Sequence, residues 1–173
     1  LHKPSDSTKK HLEKMKVLVE NESGEYKAMY YIASGIYNIN LSAHVLAKRD
    51  YDQALHYLKK SKTDSLIAQA YSGIGALNKN TGDYGKAIQY LFKAQKIYRK
   101  TGDKRGIAVV NGSLGQIYQQ RNEIEPAKEY LAVALEAMKH NKSHFAYMNA
   151  AHTLANIHGM AGEFDKALAI DDA

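Results

Sequence analysis

Apolar residues recur every three or four positions along most of the chain, the spacing that places them on one face of an α-helix. Leu12, Met15 and Val19 show this pattern near the start. Short junctions separate the apolar stretches, as at Thr101–Asp103, where glycine ends one helix and aspartate caps the next. The pattern predicts helices over about residues 5–20, 25–48, 51–60, 64–80, 84–99, 104–120 and 125–140, with another beginning near residue 143.

A set of small and large residues returns at a constant interval of 40 residues (115 − 75 = 40 and 155 − 115 = 40). A fixed period of this length indicates similar helix hairpins stacked on one another. We predict that the small positions lie where two helices of a hairpin approach closely, and that a large residue fills the space after each turn. The small positions are Gly75, Gly115 and Ala155 on the first helices and Ala87, Ala127 and Ala167 on the returning helices; the large residues are Tyr84, Ile124 and Phe164.

The segment before residue 64 follows the repeat weakly, chiefly through Tyr51, Ala54 and Leu58. Ser34–Tyr37 could supply its small site, but about two extra helical turns would then separate this site from Tyr51. We therefore predict one solenoid over residues 1–173. Its parts are an N-terminal helix (1–24), a divergent repeat (25–61), two regular repeats (64–101 and 103–141) and an incomplete repeat (143–173).

Three sets of residues define the repeat: Tyr71, Ile74, Gly75, Gly82, Tyr84, Ala87, Leu91 and Ala94; Leu114, Gly115, Tyr118, Ala127, Leu131 and Ala134; and Leu154, Ala155, Gly162, Phe164 and Ala167. They resemble the tetratricopeptide repeat (TPR), and the resemblance covers residues 64–173. The 40-residue period is similar to that of the longer-helix subclass found in kinesin light chains, peptide-pheromone receptors and many bacterial signalling proteins. The resemblance implies an all-α, right-handed superhelical solenoid of antiparallel helix hairpins, which binds protein or peptide on its concave face and has no intrinsic catalysis.

In the TPR family the first helix of each hairpin lines the concave groove. Polar residues one face away from the packed glycines form an amide-rich floor suited to hydrogen bonding with a peptide backbone. The alternative is that these residues are simply solvated. A clamp for a C-terminal carboxylate, which Lys79 and Asn156 alone could supply, is disfavoured. The candidate groove residues are Gln69, Ser72, Lys79, Gln116, Gln119, Asn149, His152 and Asn156.

Composition excludes some chemistry. The chain contains no cysteine, so it has no disulfide or thiolate metal site, and it suits cytosol and periplasm alike. The net charge of +6 mildly favours acidic partners, but acidic residues are interleaved with the lysines. The basic run Lys93, Lys96, Arg99 and Lys100 could contact an acidic partner or phosphate, although a solvated convex surface is favoured. No apolar run approaches the roughly 18 residues of a membrane span.

The eight histidines suggest a metal site, but their spacing does not support one. A junction separates His140 from His144, and His152 and His158 face different directions. No nucleophile–base set, phosphate-binding glycine loop or carboxylate pair stands out either. We therefore predict no metal, no cofactor and no enzymatic activity.

The sequence favours an interaction module, the sensing or scaffolding segment of a bacterial signalling or regulatory protein. A receptor for a short peptide and an RNA-binding helical repeat are the two alternatives. Residues 165–173 supply only about half of a returning helix, which would leave Ala167, Leu168 and Ile170 uncovered. We therefore expect either that the chain is a piece of a longer protein or that a second copy covers this end.

Overall fold

The computed structural model describes residues 6–59, 61, 63–142, 144–163 and 166. Every regular element among these residues is an α-helix. The chain forms two compact units, Leu1–Ile97 and Tyr98–Ala173, and the fifth helix runs through the boundary between them. The helices are α1 (Asp6–Leu18), α2 (Gly24–Asn40), α3 (His44–Leu58), α4 (Asp64–Asn80), α5 (Tyr84–Thr101), α6 (Lys104–Gln120), α7 (Ile124–Ala137) and α8 (Phe145–Met160).

The turns repeat every 40 residues along the whole chain, including the part where the sequence pattern is weak. Ser42, Gly82, Asn122 and Gly162 each adopt a left-handed conformation, with φ of 58°, 81°, 61° and 75°. Such a residue ends a helix because it lets the following N–H groups bond back to the last carbonyl groups. In the first turn the Ala43 N–H donates to the Asn38 carbonyl oxygen at 2.8 Å.

The predicted helix over residues 25–48 is therefore wrong: α2 ends at Asn40, and α3 begins at His44. The left-handed residue of this turn is a serine, so the glycine that marks the later turns is missing from the sequence. The correct turn also removes the two extra helical turns expected before Tyr51. Gly35 lies 40 residues before Gly75, and the first hairpin has the same register as the others.

The close approach predicted at the small positions is confirmed in the two regular hairpins. A Cβ atom added to Gly75 would lie 2.7 Å from Leu91 Cδ2 and 3.4 Å from the Ala87 carbonyl oxygen. At Gly115 the corresponding distances are 2.8 Å to Leu131 Cδ2 and 3.2 Å to the Ala127 carbonyl oxygen. Each glycine thus makes room for a leucine of the returning helix. The predictions for Phe164 and Ala167 lie outside the described residues.

The first hairpin has a different solution at the same place. Tyr51 occupies the position of the leucines (91 − 40 = 51), and it is completely buried. A Cβ atom added to Gly35 would lie 2.8 Å from Tyr51 Cζ, and one added to Gly73 would lie 2.3 Å from the same atom. The ring is therefore wedged between two glycines of α2 and α4.

Capping at the last junctions partly follows the prediction. Asp103 Oδ1 accepts a hydrogen bond from the Gly106 N–H at 2.9 Å, as expected for a cap of α6. Neither Asp64 nor Ser65 is the N-cap of α4, because the helix begins at Asp64 and Thr63 precedes it. At α8 the cap is His144, whose Nδ1 accepts from the Ala146 N–H at 3.2 Å.

Candidate functional site

Two candidate groove residues of the C-terminal unit are in direct contact. The helices α6 and α8 pack against each other, and Gln116 Nε2 on α6 donates to Asn149 Oδ1 on α8 at 3.1 Å. Thr153, one turn further along α8, lies 3.5 Å from the same nitrogen, and its hydroxyl donates to the Asn149 carbonyl oxygen at 2.8 Å. A polar bridge thus joins neighbouring first helices. Thr153 was not among the predicted residues, although it lies four positions after Asn149.

Beside this bridge, α8 presents an exposed face that combines polar and apolar side chains. His152 and Asn156 are both exposed and lie four residues apart, which places them on the same face of the helix. Phe145, with 77% of its surface exposed, and Met148 also lie on this face. Gln119 on α6 is half-buried, one turn after Gln116. The face therefore offers hydrogen-bonding groups next to apolar contact area.

The three candidates of the N-terminal unit follow one face of α4. Gln69 is exposed, and its Nε2 donates to Ser65 Oγ within the same helix at 3.2 Å. Ser72 and Lys79 are half-buried. Burial lowers the pKa of the Lys79 ammonium group, because removal from water disfavours the charged form. Whether any of the eight candidates binds a partner stays a prediction.

The equivalent face of α2 is apolar, and the sequence analysis missed it. Met29 and Ile36 are exposed and lie 40 residues before Gln69 and Ala76. The same 40-residue offset would have identified them if the turn at Ser42 had been recognised. First helices within one unit therefore present different chemistry.

A buried polar cluster in the first hairpin was also missed. Asp50 is 1% exposed, and its Oδ2 accepts hydrogen bonds from Ser34 Oγ at 2.6 Å and from Asn38 Nδ2 at 2.7 Å. Arg49 lies 3.5 Å from the other carboxylate oxygen. Forty residues later these three positions are Ile74, Asn78 and Tyr90, and after another forty they are Leu114, Tyr118 and Tyr130. The first hairpin thus replaces an apolar and aromatic contact with satisfied polar groups.

The histidines singled out for a metal site include two that have structural partners. His144 caps α8, and His158 Nδ1 pairs with Glu163 Oε2 in the turn after that helix. Hydrogen bonds from His158 and then Lys166 lower the pKa of the Glu163 carboxyl. Within the described part of the chain, no three histidine, aspartate or glutamate side chains are placed to hold a metal ion. None of the described helices has the length and hydropathy needed to cross a bilayer.

Comparisons with known proteins agree with the fold. Residues 66–140 match the family model described as tetratricopeptide repeat. No curated protein sequence matches the chain. Among solved structures, the crystal structure of BtubC (BKLC) from P. vanneervenii is similar, with a TM-score of 0.75 at 18% sequence identity, over 96% of this chain and 68% of that chain. The likeness shows an all-α, TPR-like helical solenoid, while the longer-helix subclass stays a prediction.

Proposed function

Because residues 66–140 belong to the tetratricopeptide repeat family, whose members generally mediate protein–protein interaction, we propose that this chain binds an extended segment of a partner protein. The proposed surface is the exposed face of the first helices α6 and α8. The hydrogen bond from Gln116 to Asn149 is the observation on which the proposal rests. It holds two neighbouring helices in a fixed register beside exposed polar side chains.

The chemistry of this surface suits a peptide backbone. A side-chain amide has two N–H donors and a carbonyl acceptor with two lone pairs, so Asn149 can bond Gln116 and a ligand at the same time. Asn156 and His152 supply further exposed hydrogen-bonding groups one turn away. Phe145 and Met148 supply apolar area for the side chains of the bound segment. This combination resembles the general division between main-chain recognition and side-chain pockets in peptide binding.

The finer proposal is that the chain is the sensing or scaffolding segment of a bacterial signalling or regulatory protein. TPR-like folds are typically non-catalytic, and we propose the same for this chain. A short-peptide receptor and a scaffold differ in one measurement. A receptor gains melting temperature when a small peptide binds, whereas a scaffold gains it only with a folded partner.

Selection from a displayed library of random peptides, followed by affinity measurement on the purified chain, tests the proposal. The variant His152→Ala/Asn156→Ala removes two exposed groups of α8, and the matched control Glu129→Ala removes an exposed group of α7. We expect the double variant to bind selected peptides about 5- to 30-fold more weakly, the loss of one or two hydrogen bonds. The control should bind like the wild type. Equal affinity for all three proteins contradicts the assignment of this surface. Binding of oligonucleotides at about 50 mM salt, where electrostatic nucleic-acid binding is strong, would instead favour an RNA-binding repeat.

A further inference from the structure

A second concave site lies within the N-terminal unit. A cavity of about 440 Å³ opens between the first half of α3, the second half of α4 and the first half of α5. This volume is in the range of small-molecule pockets in proteins. On α4 the lining residues Ile74 and Leu77 face away from Gln69 and Ser72, given the 100° that each residue turns around a helix. The cavity is therefore separate from the proposed groove face.

One part of the cavity is apolar. Ile74 and Leu77 are buried members of the core, and they form part of its wall. Val45 stands beside them on α3 and is 84% exposed. A ligand that covers these three side chains would remove apolar surface from water, which favours binding.

The other part of the cavity is positively charged. Lys48 and Lys86 line it from α3 and α5, and Tyr90 stands within electrostatic reach of both ammonium groups. Lys48 pairs with Asp52 at 2.7 Å, and Lys86 pairs with Asp83 at 2.6 Å. A third cation lies nearby, because the Lys93 ammonium is 4.8 Å from the centre of the Tyr90 ring.

The charges in this region determine the class of ligand. Three ammonium groups, Lys48, Lys86 and Lys93, stand against the two carboxylates Asp52 and Asp83, which leaves one positive charge in excess. A ligand with one negative charge balances this excess, whereas a dianionic phosphate would exceed it. The apolar wall then requires that the anion be attached to an apolar group.

We propose that this cavity binds an apolar group that carries a single carboxylate. The apolar part covers Val45, Ile74 and Leu77, while the carboxylate lies between the Lys48 and Lys86 ammonium groups and accepts a hydrogen bond from the Tyr90 hydroxyl. Two sources have this chemistry: a free aliphatic or aromatic carboxylate, and the C-terminal apolar residue of a partner chain. The proposal does not depend on peptide binding by α6 and α8.

Titration of isotope-labelled protein with N-acetyl-leucine, followed by NMR, tests the charge requirement. We expect resonances of Val45, Leu77 and Tyr90 to shift, and the neutral analogue N-acetyl-leucinamide to bind about fivefold more weakly, the factor for one exposed ion pair. Lys86→Met keeps the aliphatic stem of the side chain and should cause a similar loss. Lys96→Met removes an exposed lysine outside the cavity lining and should cause none.

Further titrations distinguish the two sources of carboxylate. A short peptide with a C-terminal leucine is compared with its amidated form and with N-acetyl-leucine. Tighter binding of the free-acid peptide identifies a chain terminus, and equal binding identifies a small carboxylate; either result supports the cavity. Equal shifts with acid and amide, or an unchanged affinity in Lys86→Met, would overturn the proposal. The His152→Ala/Asn156→Ala variant should bind N-acetyl-leucine normally, so failure of one proposal leaves the other intact.

Discussion

The tyrosine wedged in the first hairpin provides the sharpest test of how this chain packs. We predict that Gly73→Ala destabilises the protein, although alanine is normally the better residue inside a helix. Alanine is favoured over glycine there by about 0.5–1 kcal/mol. At Gly73, however, the new Cβ atom would lie 2.3 Å from Tyr51 Cζ and 2.5 Å from the Tyr51 hydroxyl oxygen. The ring cannot turn away freely, because Gly35 of α2 confines its other side.

Overpacking of a core costs about 1–3 kcal/mol, which exceeds the gain in helix propensity. We therefore expect a net loss of about 1–2 kcal/mol in the free energy of unfolding, measured by urea denaturation with circular dichroism. In a Tyr51→Leu background the clash is gone, and Gly73→Ala should stabilise the chain by about 0.5–1 kcal/mol. The resulting coupling energy between the two positions is about 2 kcal/mol.

Gly112→Ala is the matched control for this experiment. Gly112 lies inside α6, and a Cβ atom added there would have no neighbour within 4 Å. We expect this variant to gain about 0.5–1 kcal/mol. If Gly73→Ala stabilises the wild-type chain as much as Gly112→Ala does, the packing of Tyr51 against Gly73 is not as described.

Three further predictions concern single groups. The Tyr51 hydroxyl is buried with no hydrogen-bond partner among the described residues, so Tyr51→Phe should raise the free energy of unfolding by about 1 kcal/mol in the same urea assay, and a loss would reveal a hidden partner. Asp103→Ala removes the cap of α6 and should cost about 1 kcal/mol, whereas Glu123→Ala, at an N-cap without a side-chain bond, should cost less than about 0.5 kcal/mol; equal losses would contradict the capping role. Burial, and then the charge of Asp103, raise the pKa of Tyr98 above its usual 10.0. The neutral phenol is thus favoured in the folded chain, and its contribution to stability is complete below pH 10.0 and declines at higher pH; the phenolate absorbance of the Tyr98→Phe variant, compared with wild type during an alkaline titration, should lack a late-ionising group.

Local sequence information was sufficient for most of the helices. The apolar spacing predicted α4 to α7 to within a few residues, because amphipathic helices, glycine turns and the aspartate before α6 all leave short-range signals. The close approaches at Gly75 and Gly115 were also predictable, since the same residues recur at a constant interval. The first turn was not, because a serine adopts the left-handed conformation that glycine usually marks.

What the sequence determined by itself is the helical class, the 40-residue period and the small positions that set the distance between paired helices. Only the tertiary structure decided which side chains meet across different helices. The bond between Gln116 and Asn149, the cluster around Asp50 and the wedge of Tyr51 between Gly35 and Gly73 all join residues of separate elements. Their contact depends on the rotation and height of one helix relative to another. Those quantities are set by the packing of many side chains together, so no local pattern records them.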